Sequence, residues 1–373
     1  MERNLKFDFV FLVLIFLLSL LGLWYLYSSS SIIAYHKFND AFYYSNKQTL
    51  WHVIGYVMLI ITMLLDIHLI KKFYKLILYF SILLLGLVFF PGLGKSVSSD
   101  EFSFDFRRWI QIGNISIQPS EFVKIAFLLY LAVILEKYPL ENFRDFKRNG
   151  VLFLPIGVIF VLLYFQPHYG TLILLFLTLI ALLYISGFPF KKILIGFVVV
   201  LIFLGILAIL QPYRYERILV WLNPYEYQYN KGYQLVMSFR AFKEGGLWGM
   251  DIHQGVAHRY LTFGHTDFIF SLISESHGVM GCLLLLFLYV LLLVRGVMLV
   301  KNISEPFRFY FSSGILLIFG LQVWINISVS TGLLPTTGIG LPFVSYGGSS
   351  LISYYIMMGL FLNLTNKEKE HGT

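Results

Sequence analysis

Apolar runs of about 20 residues recur along this chain, and a helix of that length crosses the hydrocarbon core of a bilayer. Charged residues make up only 13% of the sequence, against about 25% in soluble domains, so most of the apolar surface needs lipid as its solvent. The sequence predicts an all-α fold, a polytopic membrane protein with about ten transmembrane helices in a single domain over residues 1–373. The candidate spans are 8–27, 50–69, 74–91, 121–136, 151–166, 169–187, 192–210, 268–294, 309–330 and 345–364.

Lys and Arg concentrate in short connections that lie on one side of the bilayer, such as those containing Lys71, Lys147 and Lys192. The positive-inside rule places that side, with both termini, in the cytoplasm. Two long segments, 92–120 and 211–267, then lie outside. The second joins spans seven and eight and is too long for a structureless loop, so it is expected to be partly helical or to be the functional part.

Several function classes are disfavoured by the sequence. The net charge is +8, but there is no soluble basic domain to bind nucleic acid. There is no Walker loop and no Gly-x-Gly-x-x-Gly motif, which disfavours nucleotide-driven transport. The histidines of segment 211–267 lack the spacing typical of a zinc site, so no metal ligand is assigned.

A first candidate site combines Arg107 and Arg108 with Glu121 and Lys124, which begin the fourth span. Ser120 is expected to cap a helix that starts near Glu121. Glu121 and Lys124 would then be three residues apart on one face and able to pair. The pair either holds helices together or contacts substrate directly, and the arginines either bind an anionic headgroup or anchor the chain at the interface.

A second candidate is Asp267, preceded by His265 and Thr266, where segment 211–267 meets an apolar span. Partial desolvation would raise the pKa of this carboxyl toward neutrality, which suits a general base. The alternative is that Asp267 is the N-cap of the span, a position that Asp favours.

A third candidate is the stretch from Gly332 to Ser350, in which Pro and Gly break the helical pattern before the last span. Irregular backbone at membrane depth is tolerated where protein or a water-filled cavity covers it. Ser345, Gly347 and Gly348 could therefore approach a ligand, or the small residues could simply permit close helix contacts.

In order along about 250 residues, these stretches resemble the SEDS family, whose members include FtsW, RodA and SpoVE. The matching motifs are Arg107-Arg108-Trp109, Gln118-Pro119-Ser120-Glu121 with Lys124, Gln166-Pro167, Gly232-Tyr233-Gln234, Gly245-Gly246-Leu247-Trp248-Gly249, His265-Thr266-Asp267-Phe268 with Glu275, and Leu334-Pro335 through Ser350. Pro335-Thr336-Thr337-Gly338 and the Tyr260-Leu261 approach to His265 favour the division type, FtsW, and a role in elongation, as for RodA, stays open.

The resemblance implies a peptidoglycan glycosyltransferase that polymerises lipid II on the outer face of the bacterial cytoplasmic membrane. A GlcNAc 4-hydroxyl would attack the muramyl C1, with Asp267 as the natural base and undecaprenyl pyrophosphate as the leaving group. The implied partners are a class B penicillin-binding protein and other divisome or elongasome membrane proteins. A Mg²⁺ or Mn²⁺ ion could assist, although no ligand cluster demands one. Candidate cations for the pyrophosphate are Arg107, Arg108, Arg217, Lys243 and Arg259.

The chain departs from the family pattern at three positions where an acidic residue is usual. Phe263, His168 and Ser276 stand there instead. Asp267 is therefore more isolated than in the family, and a two-carboxylate or metal mechanism is weakened. A lipid II flippase and a non-catalytic scaffold for a penicillin-binding protein are the alternative functions.

Overall fold

A computed structural model describes residues 7–90, 92–99, 102–113, 115–138, 146–198, 212–251, 255–261 and 264–366. The helices and strands in these ranges are numbered here in chain order. They are α1 Phe9–Phe38, α2 Tyr43–Leu64, α3 Ile67–Lys72, α4 Tyr74–Leu87, β1 Gly94–Ser99, β2 Phe102–Ile112, β3 Ile115–Ile117, α5 Pro119–Lys137, α6 Phe146–Phe165, α7 Tyr169–Ile185, α8 190–198, α9 Pro212–Leu222, α10 Tyr233–Gly245, α11 Ala257–Tyr260, α12 Ile269–Val300, α13 Pro306–Ser330 and α14 Gly348–Thr365.

The predicted helical membrane class is confirmed. Among the described residues, 4 helices are long and apolar enough to cross a membrane, namely α1, α2, α12 and α13, and shorter apolar helices accompany them. Large apolar side chains such as Phe9, Leu76 and Phe287 are more than half exposed on the bundle, as expected of surfaces that face lipid. The count of ten spans stays a prediction, and most of the predicted span 192–210 lies outside the described residues.

Some helix ends differ from the expected spans. α1 continues to Phe38, well past residue 27, and α2 ends at Leu64 rather than at 69. Asp66 then caps the short helix α3, because its side chain accepts a hydrogen bond from the backbone N–H of His68. Hydropathy locates the apolar core of each helix, whereas a cap of this kind locates its end.

Helix α5 forms the interior of the bundle. Nearly all of its residues from Pro119 to Leu135 are buried, and it packs against α4 and α13. The predicted cap was wrong, because the helix begins at Pro119, which occupies the first turn, and Gln118 precedes it. Proline suits that position since its missing N–H would have no partner there. The hydroxyl of Ser120 is instead buried and without a hydrogen bond in the described structure.

The outer segment 92–120 contains an element that the helical prediction lacked. Strands β1, β2 and β3 form a small antiparallel sheet in that order, in which Gly94 pairs with Ile110 and Ile110 with Ile117. Successive side chains of a strand point to opposite faces. Arg107 and Arg108, which are adjacent in β2, therefore have different neighbours.

Helix α12 is bent near its start, at Gly278. Gly278 has φ of 64°, a conformation that glycine adopts without steric cost. A Cβ at this position would lie 2.4 Å from the backbone of Leu247. The first part of α12, up to residue 277, therefore packs under the α10–α11 region, and the rest continues as an apolar helix.

The bundle has two distinct ends. At one, called the Asp267 end, α5, α12 and α14 begin and α13 finishes, and the backbone N–H of Gln118 bonds the Ser349 hydroxyl at 3.1 Å. At the other, called the Lys71 end, Lys71 pairs with Glu136 at 2.6 Å and Arg295 pairs with Asp8. The candidate site residues gather at or below the Asp267 end.

Candidate functional site

Asp267 lies just before α12 and is half-buried. The N-cap of α12 is Phe268, and no side chain caps that helix. The alternative in which Asp267 serves as the N-cap is therefore wrong. Its carboxyl lies near Gly338 and within the electrostatic influence of Arg108 and Arg217.

The backbone around Asp267 is held by the irregular segment between α13 and α14. The Ser345 hydroxyl donates to the carbonyl of Thr266 and accepts from the backbone N–H of Leu341 at 2.7 Å. The N–H of Tyr346 donates to the carbonyl of His265 at 3.0 Å. Ser345 and Thr266, both predicted site residues, therefore meet beside the carboxyl and join two parts of the chain.

Arg108 reaches Asp267 from β2. Its Nη2 donates to the carbonyl of Pro167 at 2.7 Å and its Nε to that of Gln166 at 3.3 Å. A Cβ built on Gly338 would lie 3.7 Å from both the Arg108 Nη1 and the Asp267 Oδ2. Gly338, at φ of 74°, thus lies beside both the guanidinium and the carboxyl, in a left-handed backbone conformation that favours glycine.

Arg217 reaches the same place from α9. Its Nη1 donates to the carbonyl of Thr336 at 2.9 Å, and Trp221, one turn later, donates from its indole N–H to the carbonyl of Gly332 at 2.8 Å. The two bonds fix α9 on the segment that leads to Gly338. A groove opens beside them, lined by Glu216, Arg217, Val220, Trp221, Lys231, Gln234, Leu235 and Thr336.

The electrostatics of Asp267 suit a base that works near neutral pH. Burial raises the pKa of this carboxyl, which lies outside the spanning helices, to about 6, while the positive charges of Arg108 and Arg217 oppose the rise. Burial also lowers the pKa of His265 to about 4. Near pH 7, Asp267 is therefore mainly ionised yet basic enough to accept a proton, and His265 is neutral.

Glu121 and Lys124 form the expected pair inside the bundle. Lys124 Nζ lies 2.7 Å from Glu121 Oε2, and the exposed fractions of the two side chains are 0% and 7%. Lys124 also donates to Gln322 Oε1 at 3.0 Å, and the Ser353 hydroxyl donates to Glu121 at 3.2 Å. Both charges are thus compensated by protein groups, which favours the structural interpretation over direct substrate contact.

Other predicted site residues lie apart from this centre. Arg107 lies on β2 near Gly94, and Lys243 is exposed in the last turn of α10. Arg259 is exposed on α11, beside Ile32, His36 and Tyr260.

The two glycines at the start of α14 contact helix α2. A Cβ on Gly348 would lie 2.6 Å from the indole of Trp51, which matches the alternative of close helix contact. The N–H of Gly347 donates to Gln48 Oε1 at 3.3 Å.

The structure describes two of the three positions at which the family usually has an acidic residue. His168 is buried and its Nε2 lies 3.2 Å from the Gln118 amide nitrogen, directly after the carbonyls that hold Arg108. Ser276 bonds within α12 to the carbonyl of Leu272 at 2.9 Å. Phe263 lies outside the described residues.

The described part of the chain contains no group of three or more His, Cys, Asp and Glu side chains that could hold a metal ion. Asp267 is flanked by arginines rather than by further carboxylates. These residues do not form a ligand set for Mg²⁺, which prefers several oxygen ligands.

Sequence reasoning missed two residues that contact the site. Asn326 and Gln322 lie on α13 and bond the backbone of the irregular segment. Two amide side chains in a spanning helix are a recognisable signal, since polar groups in the membrane interior are costly to bury.

Comparison with known proteins gives a consistent result. A family model described as "Cell cycle protein", for FtsW, RodA and SpoVE, matches residues 8–370. The chain is 34% identical over 366 residues to a "Probable peptidoglycan glycosyltransferase FtsW" from Geobacter metallireducens, covering 98% of this chain and 96% of that protein. It is 35% identical over 364 residues to "Stage V sporulation protein E" from Bacillus subtilis, covering 96% of each.

The fold also matches a solved structure. The match is to a protein from the work "Structural coordination of polymerization and crosslinking by a peptidoglycan synthase complex". It has a TM-score of 0.80 and 27% sequence identity, and it covers 96% of this chain and 98% of that protein. The similarity therefore extends over the whole bundle and not only over the motifs around Asp267.

Proposed function

Because the chain belongs to the FtsW/RodA/SpoVE family, we propose that it is a peptidoglycan glycosyltransferase that polymerises lipid II. The observation that carries the proposal is the half-buried carboxyl of Asp267, whose pKa is raised to about 6 between two arginines. The family relatives' printed activity supplies the reaction class. The local chemistry supplies a base and cations in one place.

The proposed step is a displacement at the anomeric carbon. Asp267 accepts the proton of a GlcNAc 4-hydroxyl as that oxygen forms a bond to the muramyl C1. The bond from C1 to the pyrophosphate oxygen breaks, and its electron pair leaves on undecaprenyl pyrophosphate. The proton remains on Asp267 until solvent removes it, which restores the base for the next sugar.

Arg108 and Arg217 serve the leaving group in this scheme. Each is oriented by hydrogen bonds to backbone carbonyls, from the Gln166–Pro167 turn and from Thr336. Both guanidiniums lie close enough to Asp267 to lower its pKa, so both are placed to attract the pyrophosphate and to stabilise the charge that develops on it. Any Mg²⁺ or Mn²⁺ would have to arrive with the pyrophosphate, and no step here depends on it.

The two ends of the bundle support a proposed orientation in the bacterial cytoplasmic membrane. Lipid II carries its polar part at the membrane surface, so the Asp267 end is proposed to face outward. The basic Lys71 end, with Lys71, Lys72 and Arg295, would face the cytoplasm together with both termini, in agreement with the positive-inside rule.

The proposed partner is a class B penicillin-binding protein, which would crosslink the new glycan alongside other membrane proteins of division or elongation. The support is the whole-length likeness to a protein from a complex reported to coordinate polymerization and crosslinking. The FtsW name of the relative from Geobacter favours a role in division.

The test uses the purified full-length chain, with its penicillin-binding partner co-expressed, and lipid II in detergent or vesicles. Wild type is expected to make glycan strands, and Asp267→Asn to make none. Asp251→Asn, which changes an exposed carboxyl of the same outer segment, is the matched control and should remain active. If wild type makes no polymer, and lipid II still crosses the vesicle membrane with Asp267→Asn, the protein is a flippase. Neither activity would indicate a scaffold.

A further inference from the structure

Helix α13 carries two amide side chains on one face. Gln322 and Asn326 are four residues apart, a spacing that places them one above the other. Their exposed fractions are 1% and 0%. Buried amides in a spanning helix need hydrogen-bond partners, and both find them in the backbone of the segment that surrounds Asp267.

Asn326 binds two separate pieces of chain at once. Its Nδ2 donates to the carbonyl of Asp267 itself at 2.9 Å and to that of Ile339 at 2.8 Å. One amide group therefore joins α13 to the residue that carries the carboxyl and to the residue after Gly338. The bridge thus connects the backbone of Asp267 with the turn at Gly338.

Gln322 extends the bridge toward the membrane interior. Its Nε2 donates to the carbonyl of Gly340 at 2.9 Å, while its Oε1 accepts from Lys124 Nζ at 3.0 Å. Lys124 is oriented in turn by Glu121 at 2.7 Å. The buried ion pair is thus connected through Gln322 to Gly340, and the adjacent residue, Ile339, is connected through Asn326 to the backbone of Asp267.

One feature of Asn326 is costly for stability. Its Oδ1 is buried and forms no hydrogen bond to any described group. A buried acceptor without a partner destabilises the folded state, so an amide is a poor choice at this position if packing alone matters. The donation from Nδ2 to the Asp267 backbone offers a reason for its presence.

We infer that Gln322 and Asn326 are positioning residues for glycan polymerisation. They hold the Asp267 backbone at a fixed place relative to Gly338 and Arg108, and Lys124 acts through Gln322 rather than by touching substrate. The inference rests on the proposed function. A displacement of about 1 Å at a reacting group can cost about 100-fold in rate, so a loosened backbone is expected to lower kcat while leaving KM nearly unchanged.

The experiment compares Asn326→Leu and Gln322→Leu with a control of the same chemistry. Asn363, at the Lys71 end of α14, also donates from its Nδ2 to two carbonyls, of Thr62 at 3.1 Å and Leu65 at 2.6 Å. Asn363→Leu removes an equivalent bridge far from Asp267. Each full-length variant is assayed for lipid II polymerisation, to obtain kcat and KM, and for its thermal unfolding midpoint.

Asn326→Leu is expected to lower kcat by about 10- to 100-fold with KM changed less than about threefold, and Asn363→Leu to leave kcat near wild type. If Asn326→Leu does not fold, Asn326→Ser replaces it with the same expectation, because one short hydroxyl cannot bridge both carbonyls. The inference is overturned if the Asn326 variant keeps full kcat, or if Asn363→Leu loses as much.

A parallel Asp267→Asn assay separates the two proposals. If that variant is inactive while Asn326→Leu is fully active, only the positioning inference fails. If Asp267→Asn itself keeps polymerising, the assignment of the base fails, and with it the reason for positioning this residue.

Discussion

Replacing Lys124 with Met tests the buried ion pair most sharply. The ammonium is completely buried and lies 2.7 Å from a carboxylate that is only 7% exposed. In Lys124→Met, the Ser353 hydroxyl at 3.2 Å is left to compensate the Glu121 charge. Breaking a buried pair on one side costs about 3–5 kcal/mol, and this range is the expected loss in the free energy of unfolding.

Removing both charges should cost much less. In Glu121→Gln with Lys124→Met, no ion remains in the interior, so the loss is expected to be about 1–2 kcal/mol, mainly from unmade hydrogen bonds. The exposed pair of Arg240 and Glu244 on α10, with side chains 47% and 25% exposed, is the matched control. Since surface pairs contribute about 0–1 kcal/mol, Arg240→Met should change stability little.

The assay is reversible unfolding of the purified chain in detergent, followed by circular dichroism. The double variant is expected to be more stable than Lys124→Met alone. If the double variant is as unstable as the single, the uncompensated charge is not the source of the loss. If the double variant is stable but inactive even though Gln322→Leu is active, direct substrate contact by the pair is indicated instead.

Three further changes follow from the same geometry. Gly338→Ala forces a side chain into a left-handed backbone conformation and so strains the turn beside Arg108 and Asp267, and polymerisation should fall by at least about 10-fold; full activity would place the reaction elsewhere. Gly278→Ala would put a Cβ 2.4 Å from the Leu247 backbone, so the free energy of unfolding should fall by about 1–3 kcal/mol and the thermal midpoint with it; an unchanged midpoint would refute the close contact. Chelation by EDTA should leave the thermal midpoint unchanged, because the described site offers no ligand cluster, and a lowered midpoint would show a bound structural metal.

The sequence was sufficient to predict the helical membrane class and the pairing of Glu121 with Lys124. Both depend on local regularities, namely the length of apolar runs and the spacing of three residues along a helix. It also drew attention to Asp267, because a carboxylate at the edge of an apolar span is costly to desolvate.

The surroundings of Asp267 could not be derived in the same way. The contact with Asn326 joins residues 59 positions apart in sequence, and no periodicity specifies such a contact. Arg108 faces the site because β2 is a strand, in which neighbouring side chains alternate, and segment 92–120 gave no strand prediction. The expected cap at Ser120 was wrong because Pro119 already starts the helix.

The most direct test of the account is the pH dependence of kcat/KM for lipid II polymerisation. A base has to be deprotonated to act, so the rate should fall as the pH decreases through about 6, the raised pKa of Asp267. Arg217→Gln removes a charge that lowers this pKa, so the fall should move to higher pH. A rate that stays constant between pH 5 and 7, or a fall at the same pH in an active Asp267→Asn variant, would contradict the assignment of Asp267 as the base.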